Sequence, residues 1–216
     1  MAKTINGGRL IIFDGLDGAG KTTQLNLVKQ TLVADGWQVY ATRNLGGTPI
    51  GESLRAALLK PDERPVETDF YVGVAIQAAL IPIVSQEKAK GSVILMDRGP
   101  MSLVAYQVYG SGLNEELGWR YADYGMNSLK PDLTIIYETN VDTALKRARQ
   151  HSTNADYFES KPLSFFNEVS QGFKAAAERY GCQPIDANLS IEAVQAATIE
   201  LIRPLLEPNH LTHHSS

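Results

Sequence analysis

The stretch Gly15-Leu-Asp-Gly-Ala-Gly20-Lys21-Thr22 decides the fold. It follows the apolar run Leu10-Ile-Ile-Phe13, and Thr22-Thr-Gln-Leu-Asn-Leu-Val-Lys29 opens a helical pattern behind it. A turn spaced G-x-x-x-x-G-K-[ST] between a strand and a helix is a phosphate loop. Gly15 and Gly20 let the backbone curl so that successive N–H groups face one anion. The helix N-terminus adds partial positive charge. Gly15, Leu16, Asp17, Gly18, Ala19, Gly20, Lys21, Thr22 and Thr23 are therefore candidates to cradle phosphates. Lys21 would reach the β- and γ-phosphates, and the Thr22 hydroxyl would ligate Mg²⁺. The chain is expected to bind a nucleoside triphosphate.

Working outward, short β-rich runs alternate with helical patterns throughout. Strands are predicted at Arg9–Phe13, Gln38–Thr42, Ser92–Met96, Leu133–Tyr137 and Gln183–Ile185. The first four are near-continuous apolar runs, as in parallel strands covered on both faces. Helices are predicted at 22–34, 50–59, 67–90, 101–109, 114–127, 141–150, 163–180 and 191–206. The implied class is α/β, a P-loop three-layer fold with a parallel sheet of about five strands and helices on both faces. Residues 9–206 form one domain, between a mobile segment at 1–8 and a mobile tail at 207–216.

Composition narrows the function. A net charge of −4 argues against a nucleic-acid partner. The longest apolar stretch, 70–84, is short for a bilayer span and carries Gln77 and Pro82, and no signal segment precedes it. A cytoplasmic protein without membrane partners is expected. Cys182 is the only cysteine and reads as a core residue.

Ligands of such sheets bind beyond the carboxyl ends of the strands. Asp14, Arg43-Asn44, Asp97-Arg98, Glu138 and Asp186 fall there. Arg43 and Arg98 suit a second phosphate, because a guanidinium matches phosphate oxygens bidentately. Asp97 ends an apolar strand, where a carboxylate for the Mg²⁺ shell belongs. Lys146, Arg147 and Arg149 precede a polar loop, and a lid is expected at about 148–161. The acceptor follows from an absence. A hydroxyl needs a carboxylate base, whereas a monophosphate is already largely ionised near neutral pH. Strand two ends in Arg43-Asn44 with no acid, which favours a monophosphate, while Asp14 and Asp17 keep a hydroxyl acceptor open.

Together these residues resemble the thymidylate kinase family over roughly 9–206. Phe13–Gln24 is similar to its phosphate loop. Thr42-Arg-Asn-Leu-Gly-Gly-Thr-Pro-Ile-Gly-Glu52 resembles T-R-E-P-G-G-T-P-x-G-E. Asp97-Arg98 with Ser102 and Ala105-Tyr-Gln107 resembles D-R-Y-x-x-S-x-x-A-Y-Q. Leu129–Thr134, Asp156-Tyr-Phe-Glu159 with Phe165-Phe166, and Ile185-Asp-Ala187 resemble the start of strand four, the lid and the adenine-side loop.

The resemblance implies transfer of the ATP γ-phosphoryl group to dTMP with Mg²⁺ held by Thr22 and Asp97. It implies that Arg43 and Arg98 grip the acceptor phosphate, Ser102 borders it and Asp17 bonds the sugar. Phe70 would stack on the base, with Tyr106 and Gln107 beside it. It also implies a homodimer packed through the helix around 70–84. Departures are Asn44-Leu45 for Glu-Pro, Gly99-Pro100 after Asp-Arg, and Gly18 where one subclass has Arg. The thymine-reading Arg is missing, since no Arg or Lys lies between Arg64 and Lys88. Gln77 is the candidate replacement donor. Arg147, on the ATP side, or Arg149 would supply the catalytic lid arginine. Two alternatives stay open: a kinase for another pyrimidine nucleotide or nucleoside, and a nucleotide-binding paralogue without turnover.

Overall fold

The computed structural model describes residues 2–151 and 161–207. Its sheet has five parallel strands: β1 (Arg9–Gly15), β2 (Val39–Arg43), β3 (Val93–Asp97), β4 (Leu133–Glu138) and β5 (Gln183–Asp186), in the order β2-β3-β1-β4-β5. The helices are α1 (Lys21–Ala34), α2 (Pro49–Leu58), α3 (Val66–Ala89), α4 (Pro100–Leu103), α5 (Glu115–Leu129), α6 (Val141–His151), α7 (Leu163–Tyr180) and α8 (Ile191–Leu206). A π-helical segment, Val104–Gly110, continues α4. The strands are apolar because helices cover both faces. Leu10 and Ile12 pack with Leu80 and Val84 of α3, whereas Ile11 and Phe13 share a cluster with Leu25, Val28 and Leu32 of α1.

This order puts β1 between β3 and β4, so the chain leaves β1 and β3 in divergent directions and opens a crevice at their carboxyl ends. Register places Phe13 beside Asp97 and Arg43 beside Asp97. Three predicted polar strand ends therefore meet at one rim.

The segment before β1, expected to be mobile, is hydrogen-bonded to the domain. Lys3 N–H donates to Gly36 O at 2.7 Å, and Ile5 N–H to Gly91 O at 2.9 Å. By length and hydropathy the 24-residue α3 could cross a bilayer. It packs instead against α2, α5 and the sheet, as a core helix. The expected tail beyond Glu207 and most of the expected lid, including Asp156–Glu159, lie outside the described residues.

Candidate active site

Geometry begins at the phosphate loop. Gly15, Gly18 and Gly20 have φ of 137°, 80° and 89°, values that side chains resist. Gly18 also lacks room: a Cβ there would overlap the Ala144 carbonyl oxygen and come 3.0 Å from Ala148 N, both on α6. An arginine at position 18 is thus incompatible with this seating of α6. The buried Lys21 Nζ donates to Leu16 O at 2.7 Å. Burial pushes its pKa down, and Arg98 adds to that, against Asp17, Asp97 and Asp14. Leu16 and Ala19 are buried, whereas Thr22 and Thr23 face solvent.

Thr22 Oγ1 donates to Asp97 Oδ2 at 2.5 Å. The other oxygen, Asp97 Oδ1, is buried and has no hydrogen-bond partner. A hydroxyl and a carboxylate with an unused buried oxygen make a hard-cation donor pair beside the loop.

Asp14 follows a different logic. It is 0% exposed and accepts from Gly15 N–H at 3.0 Å, Gly99 N–H at 2.9 Å and Ser102 Oγ at 2.6 Å. Burial raises its pKa, partly countered by Arg98 and those bonds. Sealed this way it braces the β1 and β3 ends and offers no base to an acceptor hydroxyl.

Arg98 has a left-handed backbone, φ 67°, with its N–H bonded to Phe13 O. Strain of this kind concentrates at sites held by their surroundings. Its guanidinium pairs with Asp17, donates to Ser102 Oγ at 3.3 Å and lies 5.2 Å from the Tyr106 ring centre. Tyr106 O–H donates to Asp17 Oδ2 at 2.6 Å. Burial alone would raise the Asp17 pKa, but Arg98 and Lys21 outweigh it and hold the carboxyl far below its ordinary range.

Opposite stands Arg43, half-exposed and paired with Glu52, which also accepts from Gly47 N–H at 2.8 Å. Thr48 caps α2 through Gly51 N–H at 2.9 Å, with Pro49 in the first turn. That cap fixes Glu52, and one turn on it delivers Arg55. Arg55 Nη1 donates to Leu45 O at 3.1 Å. Its pKa is pushed down by burial first, then by Arg43 and Arg98. A cleft of about 460 Å³ is lined by Lys21, Arg43, Arg55, Arg98, Thr22 and Asp97, among others. It adjoins a recess walled by Leu45, Leu58, Leu59, Leu103, Tyr106 and Gln107, with Asp17, Arg55 and Arg98 common to both.

Comparison with known proteins agrees with this geometry. The family model described as Thymidylate kinase matches residues 13–198. The thymidylate kinase of Nostoc punctiforme is 36% identical over 203 residues, covering 91% of this chain and 96% of the relative. Those of Alkalilimnicola ehrlichii and Halothermothrix orenii are 34% and 32% identical, covering 90% and 87% of this chain and 92% of each relative. The chain belongs to the thymidylate kinase family. It is accordingly a nucleotide-binding transferase with the P-loop α/β fold expected from its sequence.

Within this family member, the structure gathers nine of the predicted site residues around the two cavities. Lys21, Thr22, Asp17, Arg43, Asp97 and Arg98 line the larger, and Ser102, Tyr106 and Gln107 the recess. Gln107 Oε1 is buried without a partner. The structure does not bring Phe70 or Gln77 into either lining. Phe70 is buried among Leu103, Leu113 and Tyr121, its ring 5.4 Å from that of Tyr121. Gln77 is 1% exposed and accepts from Asn44 Nδ2 and Tyr121 O–H. Arg147 Nη1 donates to Ala187 O at 3.0 Å, joining α6 to the loop after β5. Arg149 is exposed on α6, beside Lys146 and Leu163, and lines neither cavity. Arg55 and the leucine wall were missed from sequence. The spacing Glu52–Arg55 on a capped helix was the one available signal.

Proposed function

We propose that this chain, an ATP:dTMP phosphotransferase by family, binds the acceptor phosphate between Arg43, Arg55 and Arg98 and the thymine in the recess at Gln107. One observation carries the reading. Lys21, Arg43, Arg55 and Arg98 line a single cleft, where burial first, and then the charge of Arg98 on Lys21 and of Arg43 and Arg98 on Arg55, already depress the pKa of Lys21 and Arg55. An anionic ligand relieves that crowding, and two phosphates brought end to end supply it. The carboxylates Asp17 and Glu52 keep the arginines oriented before substrate arrives. No general base is required for a monophosphate acceptor, and the sealed Asp14 provides none.

Lys21 would hold the β- and γ-phosphates of ATP, with the phosphate-loop N–H groups around them. Arg147 would border the adenine side, next to Ala187. Thr22 and Asp97 would hold Mg²⁺, which when bound neutralises charge on the transferring phosphates. Among the described residues no cluster of three His, Cys, Asp or Glu surrounds that place. Such a pair suits a cation that takes its remaining ligands from phosphate and water.

Base choice rests on Gln107. Its free buried Oε1 suits the N3–H of thymine and repels the N3 lone pair of cytosine. The apolar wall of Leu45, Leu58, Leu59 and Leu103 suits a methyl-bearing base. The protein works in the cytoplasm as a homodimer packed through α3, whose Tyr71 is exposed.

ADP release with Mg²⁺-ATP across dTMP, dUMP, dCMP, AMP and thymidine, with Lys21→Ala as blank, tests the reading. dTMP should be turned over fastest, dUMP about tenfold less efficiently for want of a methyl group, and thymidine not at all. Turnover of thymidine, or no turnover above the blank, refutes it.

A further inference from the structure

Behind Arg43 a chain of uncharged groups runs from the core to the recess. Asn44 is buried, and its N–H donates to Asp97 O at 2.8 Å. Its Oδ1 accepts from Leu45 N–H at 3.0 Å, which fixes the amide orientation and turns Nδ2 towards Gln77. Gln77 must therefore present its oxygen, and Oε1 accepts from Asn44 Nδ2 at 3.2 Å and from Tyr121 O–H of α5. Gln77 Nε2 is left buried without a partner. The slot for this amide is built: a Cβ on Gly125 would overlap Nε2 and crowd Pro100. At the other end Leu45 is in a left-handed conformation, and its carbonyl accepts from Arg55. Tyr121, Gln77, Asn44, Leu45 and Arg55 thus form one continuous path from α5 through α3 to α2.

One departure from the family pattern lies on this path, and a second lies on the helix that carries Gln77. Position 44 lacks the family's Glu, and α3 lacks its Arg. A carboxylate at 44 would face Gln77 Oε1 in a buried place, and α3 supplies no cation before Lys88 to balance it. The amide instead donates to that oxygen, which keeps the path uncharged at this point.

We infer that Asn44, Gln77 and Tyr121 are an uncharged positioning network that sets the acceptor end of the site, holding the loop that carries Arg43 and Leu45. The inference rests on the dTMP reading above; Gln77 and Tyr121 line neither cavity, and Asn44 borders the cleft beside Arg43.

Its test compares Asn44→Ala, Asn44→Glu and Tyr121→Phe with wild type for kcat, KM for dTMP, KM for ATP and dTMP affinity by calorimetry. Wild type must first turn over dTMP; if it does not, the functional reading fails by itself. Given that activity, Asn44→Ala should raise KM and Kd for dTMP about tenfold, the scale of one buried hydrogen-bond partner lost, with KM for ATP within about twofold. Asn44→Glu should lose more than Asn44→Ala. Tyr121→Phe should move KM for dTMP the same way by about threefold, and it decides the matter should the position 44 variants not fold. Lowered melting temperature with unchanged dTMP affinity, or equal changes in both KM values, would overturn the inference.

Discussion

Gly18→Ala tests the seating of α6 on the phosphate loop. Two costs add. The backbone there is left-handed, with φ of 80°, which penalises a side chain by about 1–2 kcal/mol. The new Cβ also overlaps the Ala144 carbonyl and sits 3.0 Å from Ala148 N. Those are main-chain atoms of a helix, so the helix itself must move, at about 1–3 kcal/mol for this kind of overpacking. The sum, about 2–5 kcal/mol, corresponds to a fall of about 4–20 °C in Tm for a chain of this length. Gly112→Ala is the control: φ is 76° and nothing lies within 4 Å of its Cβ, so it carries the backbone cost alone. The difference between the variants isolates the α6 contact. Because α6 also carries Arg147, bonded to Ala187, lifting it should raise KM for ATP and leave KM for dTMP unchanged. Scanning calorimetry and steady-state kinetics read both. Equal melting shifts in the two variants, with KM for ATP unaltered, would refute the reasoning.

Asp17 should dominate the acid limb of stability. Its folded carboxyl lies well below its ordinary value of 3.8, chiefly because Arg98 outweighs its burial. As pH falls below about 4 the unfolded chain takes up a proton that the folded protein refuses, so stability drops. Asp17→Asn should flatten urea-unfolding stability over that range; an acid limb as steep as wild type would count against the pairing. Arg64, partly buried, pairs with the buried Asp69 and also donates to the Leu58, Lys60 and Asp62 carbonyls at and beyond the end of α2. Arg64→Ala should cost about 1–3 kcal/mol by leaving Asp69 without its partner, and the Arg64→Ala/Asp69→Ala double variant should cost less than the single. Chemical denaturation measures both, and a double variant worse than the single would show that the charge of Asp69 is not the penalty.

Much of the fold is legible because the first four strands are apolar runs ended by a charge, and the structure keeps each predicted strand with its bounds shifted by at most two residues. The polar strand ends separate by their surroundings. Arg43, Asp97 and Arg98 converge, Asp14 turns inward, and Asp186 bonds Asn188 locally. The π-helical turn was illegible. Apolar periodicity over 101–109 fits an ordinary helix, and only tertiary contacts set the wider turn. Gly110 is pressed against Phe165 and Val169, and Leu113 N–H reaches Gln107 O at 2.8 Å. The π-turn matters to function, since it carries Tyr106 and Gln107 to the recess. Arg55 was hidden for a related reason. A charged residue on an amphipathic helix reads as solvated, and only the packing of α2 against α3 turns it to the cleft. Phe70 and Gln77 show the converse: helical spacing cannot tell a base-stacking ring from a core ring, or a reading amide from a bridging one.

The departures from the family pattern are coherent once their contacts are set side by side. Gly99 stands where the family pattern has Tyr after Asp-Arg. A Cβ at Gly99 would stand 3.0 Å from Ile12, and Pro100 packs against Gly125, the residue that makes room for Gln77. Asn44, Gln77, Gly125 and the turn at 99–100 are therefore one set of contacts on the acceptor side. Gly18 with Ala144 and Ala148 is a second set on the donor side. Lys21, Arg43, Asp97 and Arg98 belong to neither set and match the family pattern. It follows that returning one family residue at a time should damage the protein: Asn44→Glu strands a buried carboxylate, and Gly18→Arg unseats α6. Exchange of whole sets is what the contacts permit, and the retained quartet is why such exchanges can conserve the reaction.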